Sequence, residues 1–239
     1  MSKLSFVMIA LVICLAAVPF VGAQDAIRVK CDRYTMNVPS LNAGCFQIDE
    51  NIPAAAEAGP AEIAAAQIAC TSIHFSDYDG MMSAIAPEVT FYRVDDLGRA
   101  SFALLDIGLR ISDVMNNINA GYTGVENVTG ELPFLPYQAA ERTVNALPVK
   151  LDFQNGSGVR TVTAFQDQLS AAYGNSNLYY SFQGITSDGI TYVSAVFPLE
   201  CAALNGRTAA DVDWNSVASS DFRPALDELD FYIRSIVIE

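Results

Sequence analysis

His74 is the only histidine in the chain, so nucleophilic chemistry of the Ser-His-Asp or Cys-His kind would have to pass through it. It stands in HFSDYDG, with no G-x-S-x-G turn to supply a partner; Ser157, in NGSG, has the composition of a tight turn instead. The same stretch offers Asp77, Asp79 and Gly80, the tail of a calcium loop. Phe75, however, occupies the place of the first carboxylate, and Ala86 that of the bidentate glutamate. Asp77 and Asp79 are therefore outside candidates for a cation, with an acidic turn the ordinary reading. Paired carboxylates of a glycosidase leave no spacing signature among 27 acidic residues, because their pairing is spatial. No phosphate-cradling glycine loop or dinucleotide fingerprint is present, and no cofactor is expected.

Binding is better supported than catalysis. In LYYSFQGITSDGITYVSAVFP, residues 178–198, Asp188-Gly189 is the dipeptide favoured in a two-residue type I′ hairpin turn. Setting the register from that turn pairs Gly184 with Val193, Phe182 with Ala195 and Tyr180 with Phe197. One face then carries Leu178, Tyr180, Phe182, Gly184, Val193, Ala195, Phe197 and Leu199 and must be core. The other carries Tyr179, Ser181, Gln183, Ile185, Ile190, Tyr192, Ser194 and Val196. Tyr179, Ser181, Gln183, Tyr192 and Ser194 combine flat apolar area with directed hydrogen-bonding groups, as ligand sites do. The competing reading is that a helix covers this face, with Ile185, Ile190 and Val196 as its contacts.

The elements that would position these residues follow from periodicity. Alternation through 89–94 predicts a strand, and SFALLDIGLRISDVMNNI places Leu104, Ile107, Ile111, Val114 and Ile118 at helical spacing. A loop follows, then a shorter helix in YQAAERTVNAL ended by Pro148. Val149, Leu151 and Phe153 alternate with polar residues before the turn NGSG and the extended VRTVTAFQ, a hairpin. The Ser219-Ser220-Asp221 cap opens a closing helix over about 221–237, with Phe222, Leu226, Leu229, Tyr232 and Ile236 on one stripe. Residues 24–87 read as irregular and alanine-rich, and the main sheet as about 149–200. The expected fold is a single α+β domain over 24–239: an antiparallel meander flanked by helices, a sandwich stapled by disulfides.

The C-terminal 90 residues or so, through VKLDFQNGSGVRTVTAF, LYYSFQGITSDGITYVSAVFP and LDELDFYIRSIVI, resemble the PsbP-like proteins in element order. The resemblance implies an antiparallel sheet with helices on both faces and a non-enzymatic accessory or binding role. It assigns no functional residues.

The N-terminus has a basic start at Lys3, an apolar run, and small residues before Gln24, the layout of a cleaved secretory signal over 1–23. No later stretch is long and apolar enough to span a bilayer. The net charge of −14 grows by one unit on loss of Lys3, which disfavours nucleic acid and anionic lipid as partners. The remaining cysteines, Cys31, Cys45, Cys70 and Cys201, are even in number and lack zinc-ligand spacing. Disulfides are expected, Cys31–Cys45 with Cys70–Cys201 being the preferred of three pairings. Together these features predict an exported, non-catalytic binding or accessory protein of the cell envelope, acting on a protein, small molecule or glycan. A secreted glycan-directed hydrolase using paired carboxylates and a structural surface protein are the alternatives.

Overall fold

A computed structural model describes residues 27–38, 42–49, 68–76, 78, 85–100, 104–120, 132–136, 138, 141–166, 178–204, 207 and 211–239. The signal segment, Asp77, Asp79 and the alanine-rich stretch 51–67 lie outside them. Among the described residues no helix is long and apolar enough to cross a membrane.

The fold is a mixture of antiparallel sheets and helices. Strands β3 (Asn42–Ile48), β4 (Cys70–Ser76), β5 (Glu88–Arg93), β6 (Glu141–Phe153), β7 (Gly156–Gln166), β8 (Leu178–Thr186) and β9 (Thr191–Cys201) form one sheet in the order β3-β4-β5-β9-β8-β7-β6. The short β10 (Phe222–Arg223) adds to β9. A smaller sheet orders β1 (Ile27–Cys31), β2 (Tyr34–Val38) and β11 (Val237–Ile238), so both ends of the described chain meet in it. Helices α1 (Val94–Ala100), α2 (Ile107–Asn119) and α3 (Leu226–Arg234) complete the described elements of this length.

The β8–β9 register is the one the sequence predicts, with Tyr180 opposite Phe197 and Phe182 opposite Ala195. The turn differs in type. The Gly189 N–H donates to the Thr186 carbonyl at 2.9 Å, and of the turn residues only Gly189 has positive φ, at 73°, so the loop is longer than a two-residue type I′ turn. The Asp188 carboxylate stabilises it by accepting from Thr186 Oγ1 at 2.5 Å and from the Ile190 N–H at 3.0 Å. Both turns leave the strands in one register, which is why the face assignment survives.

Four other expectations are corrected. Residues 141–147 are strand, not helix: pairing with β7 overrides the helix-forming composition of YQAAERTVNAL. Register shifts between Arg142 and Val144 and between Ala146 and Val149 break the alternation there, and Pro148 sits at the second shift on an edge strand, where its missing N–H is tolerated. The N-terminal third is not irregular where it is described, since it supplies β1 to β4. The main sheet accordingly extends well beyond 149–200. The closing helix is shorter than 221–237: Ser219–Asp221 is a 3-10 turn, Phe222–Arg223 pairs with β9, and α3 begins at Leu226, after Pro224.

The apolar residues divide by face. Leu178, Tyr180, Phe182, Val193, Ala195, Phe197 and Leu199 join Met36 and Val38 of β2 and Leu226, Leu229, Ile233 and Ile236 from the C-terminal helix region in the largest core. The opposite face packs Val159 and Tyr192 against Leu97 of α1 and Ile107, Ile111, Val114 and Met115 of α2. A third cluster joins Tyr179 and Val196 to Ile85 and Phe134. At the strand crossing beneath Phe182, Gly158 faces Gly184. A Cβ on Gly158 would lie 2.4 Å from the Gln183 carbonyl oxygen and 2.6 Å from the Phe182 ring, so only glycine admits that approach.

Candidate functional site

Of the five hairpin residues proposed for ligand recognition, Ser181, Gln183, Tyr192 and Ser194 come together through Gln183, Tyr179 lies apart in the third cluster, and all five are under cover. Tyr179, Ser181, Gln183, Tyr192 and Ser194 are each no more than 2% exposed. Their hydrogen bonds go to the chain itself. Gln183 Oε1 accepts from the Leu135 N–H at 3.2 Å and from the Tyr192 hydroxyl at 2.9 Å. Gln183 Nε2 donates to the Leu135 carbonyl at 3.3 Å and to Ser194 Oγ at 3.0 Å, while the Ser194 hydroxyl donates to the same carbonyl. A buried carboxamide bonded to both the N–H and the carbonyl of one residue is a satisfied clasp, and the segment 132–136 packs over the place a ligand would take. Helix α2 covers the neighbouring area, and burial pushes the Tyr192 phenol far above its ordinary range. Ile185 and Val196 do serve as cover contacts; Ile190 is 48% exposed and does not.

The polar members of this face belong to a longer row. Register places Ser72 opposite Thr90, Thr90 opposite Ser194 and Ser194 opposite Gln183, a buried polar line across four adjacent strands. Ser72 Oγ and Thr90 Oγ1 are 2.9 Å apart. The opposite face is closed by a second polar clasp. Arg160 Nε and Nη2 reach the two carboxylate oxygens of Asp230 on α3 at 3.3 and 3.4 Å, and the Tyr180 hydroxyl donates to Asp230 at 2.9 Å.

An open site lies at the sheet's N-terminal margin. A cleft of about 330 Å³ is lined by Asp32, Arg33, Tyr34, Gln47, Ile48, Asp49, Ala69, Cys70, Thr71, Phe91, Arg93 and Asp96. Four separate stretches build it: the β1–β2 turn, the end of β3, the start of β4, and the end of β5 with α1. Asp32 and Arg33 are the whole of that turn, because Cys31 already pairs with Tyr34, and Asp32 takes the left-handed conformation, φ 55°, which aspartate tolerates better than most residues. The Cys31–Cys45 disulfide, with Cα atoms 5.6 Å apart, ties this turn to β3, so it joins two walls of the cleft.

Aromatic stacking holds Arg33. The Tyr34 ring lies on Phe91 with centroids 4.1 Å apart and planes 7° from parallel, and the Arg33 guanidinium sits 5.2 Å from the Tyr34 centroid. Arg33 Nη2 donates to Thr191 Oγ1 at 3.1 Å and to the Tyr34 hydroxyl at 3.2 Å. Nearby, Arg93 pairs loosely with Asp96 at 3.9 Å, Arg99 also pairs with Asp96 at 3.3 Å, and Gln47 Nε2 donates to Asp49 at 2.7 Å. No family model, curated protein or solved structure matches this chain.

Cys70 borders the cleft as a thiol, and the expected Cys70–Cys201 disulfide is not formed. The topology forbids it: β5 lies between β4 and β9, and Cys70 stands level with Tyr92 and Tyr192. Cys201 is thus two strand spacings across and on the order of 30 Å along the sheet from it, far beyond disulfide reach. Burial, helped by the Glu88 carboxylate and opposed by a contact with Ser72, pushes the Cys70 thiol up to about 11, so it is a poor nucleophile at neutral pH. His74 lies 3.6 Å from Glu88 and edge-on to Phe46 at 5.5 Å; burial lowers its affinity for a proton. Among the described residues no group of three or more His, Cys, Asp or Glu is placed to hold a metal ion. The cleft residues were missed in the sequence because they come from four distant stretches. The one local sign was Asp32-Arg33 between a cysteine and a tyrosine.

Proposed function

We propose that the protein is an exported, non-catalytic binding or accessory protein of the cell envelope, and that the cleft around Arg33 is its ligand site. The observation that carries this is an arginine over one ring of a stacked aromatic pair and lining a polar cleft of about 330 Å³, a volume at the lower end of small-ligand pockets. The Cys31–Cys45 disulfide supports an oxidising compartment, as does the signal-like N-terminus. Helices packed on both faces of one antiparallel sheet support the sandwich reading and, with it, the accessory role that the PsbP-like resemblance implies.

The test is calorimetric titration and thermal shift of the purified protein with amino acids, short peptides, sugars and glycans, repeated on Gln47→Trp, which fills the cleft from an exposed position. Binding by the natural protein and its loss in the variant is the expected result. Hydrolysis of a glycan, abolished by one Asp or Glu substitution, would overturn the reading in favour of the hydrolase.

A further inference from the structure

The charges around the cleft specify a ligand more closely, given that the cleft is the binding site. Arg33 spends only Nη2 on the protein, in its bonds to Thr191 and Tyr34. Among the described residues Nε and Nη1 have no acceptor and the guanidinium forms no ion pair, although its charge reaches the Asp188 carboxylate of the β8–β9 turn and adds to the Thr186 hydrogen bond in keeping it ionised. A planar fork held by stacking, with donors to spare, is suited to a carboxylate. The rest of the charged lining is mixed, with Arg93 loosely paired to Asp96 at 3.9 Å. Asp32 and Asp49 are exposed at the rim, and the whole chain carries a net charge of −14. A simple anion would meet repulsion from both rim and molecule, whereas a cation alone would leave Arg33 unanswered.

We propose that the cleft takes a small zwitterion, a free α-amino acid or the end of a short peptide, with its carboxylate on Arg33 and its ammonium between Asp32 and Asp49. A ligand of zero net charge is not excluded by the protein's field, and its two ends answer the two signs on the walls. Thr71 and the edge of the Tyr34–Phe91 stack are left to contact the remainder of the ligand.

The experiment compares free L-α-amino acids and dipeptides with their N-acetylated and C-amidated forms by calorimetric titration, on the natural protein and on Arg33→Gln and Arg33→Lys. At least one free zwitterion should bind. Capping either end should weaken it by on the order of tenfold or more, as loss of a charge-assisted bond does. Arg33→Gln should lose binding with its fold intact by circular dichroism, and Arg33→Lys, which keeps the charge without the fork, should fall between. The proposal is overturned if capped forms bind as well as free ones, if Arg33→Gln binds normally, or if no free zwitterion binds. Where only a neutral sugar binds, and Gln47→Trp blocks it, the zwitterion is wrong while the cleft remains the site. Where no compound binds, both readings fall together.

Discussion

The centre of the sheet and its N-terminal margin both gather polar and aromatic side chains, yet they differ in what answers the polar groups. At the centre, Gln183 and Ser194 bond to the Leu135 backbone, and Tyr180 and Arg160 bond to Asp230. Each clasp fixes a covering element to a sheet face. At the margin, Arg33 is oriented by an aromatic stack and one hydroxyl-bound nitrogen. The difference teaches that residue type alone does not separate a site from a lock. A buried polar group whose partners are all internal contributes to fold specificity, while one held in place with donors to spare is available to something else.

The largest expected effect breaks a lock. Asp230→Ala leaves Arg160, 7% exposed, without its carboxylate, and should cost about 3–5 kcal/mol in urea unfolding. If it costs less than 1 kcal/mol, α3 is held by apolar packing alone and the contrast between clasped and open regions loses one side. Next comes the staple. Replacing Cys31 and Cys45 together by serine releases a loop with a sequence separation of 14 and should cost about 3 kcal/mol. Because the bond joins two cleft walls, the double variant should also bind cleft ligands more weakly than stability alone predicts, measured well below its melting temperature.

Gln183→Leu sharpens the comparison from the sealed face. It removes the acceptor of the Leu135 N–H and of the Tyr192 hydroxyl, while the Leu135 carbonyl keeps Ser194, and should destabilise by about 2 kcal/mol. Ligand affinity should be untouched at temperatures where the variant is folded. A loss of affinity equal to that of Arg33→Gln would mean that the sealed face and the cleft act as one site.

The sealed face was half legible in the sequence. Asp188-Gly189 sets the register whichever turn it makes, so the sorting of Tyr179, Gln183 and Tyr192 onto one face holds. What covers that face was not legible, because the clasp depends on Leu135, 48 residues before Gln183, and backbone amides carry no sequence signal. The strand at 141–147 was misread as helix because alanine, glutamate and arginine favour helix locally, while pairing with β7 decides the outcome. Cys201 misled for a topological reason: it stands far along β9, whereas Cys70 opens β4 on the other side of β5. The cleft depends on that same topology, which brings residues 32–34, 47–49, 69–71 and 91–96 together.

The smallest effect is also the cleanest to read. His74 and Glu88 sit 3.6 Å apart on β4 and β5, toward the opposite ends of these strands from the cleft. Burial lowers the imidazole below its ordinary 6.5 and raises the carboxyl above its ordinary 4.5. The signs oppose each other in stability. The histidine's contribution is present above pH 6.5 and is lost as pH falls through its lowered folded value, since the unfolded chain takes the proton more readily. The glutamate's contribution is present below pH 4.5 and is lost as pH rises through its raised folded value. With one histidine in the chain, a single imidazole resonance reports the first directly, and its midpoint should fall below 6.5. Glu88→Gln should lower it further, by removing a carboxylate that favours the imidazolium at short range. A midpoint above 6.5 would mean that the ion pair outweighs burial, so that this margin is governed by charge where the centre of the sheet is governed by desolvation.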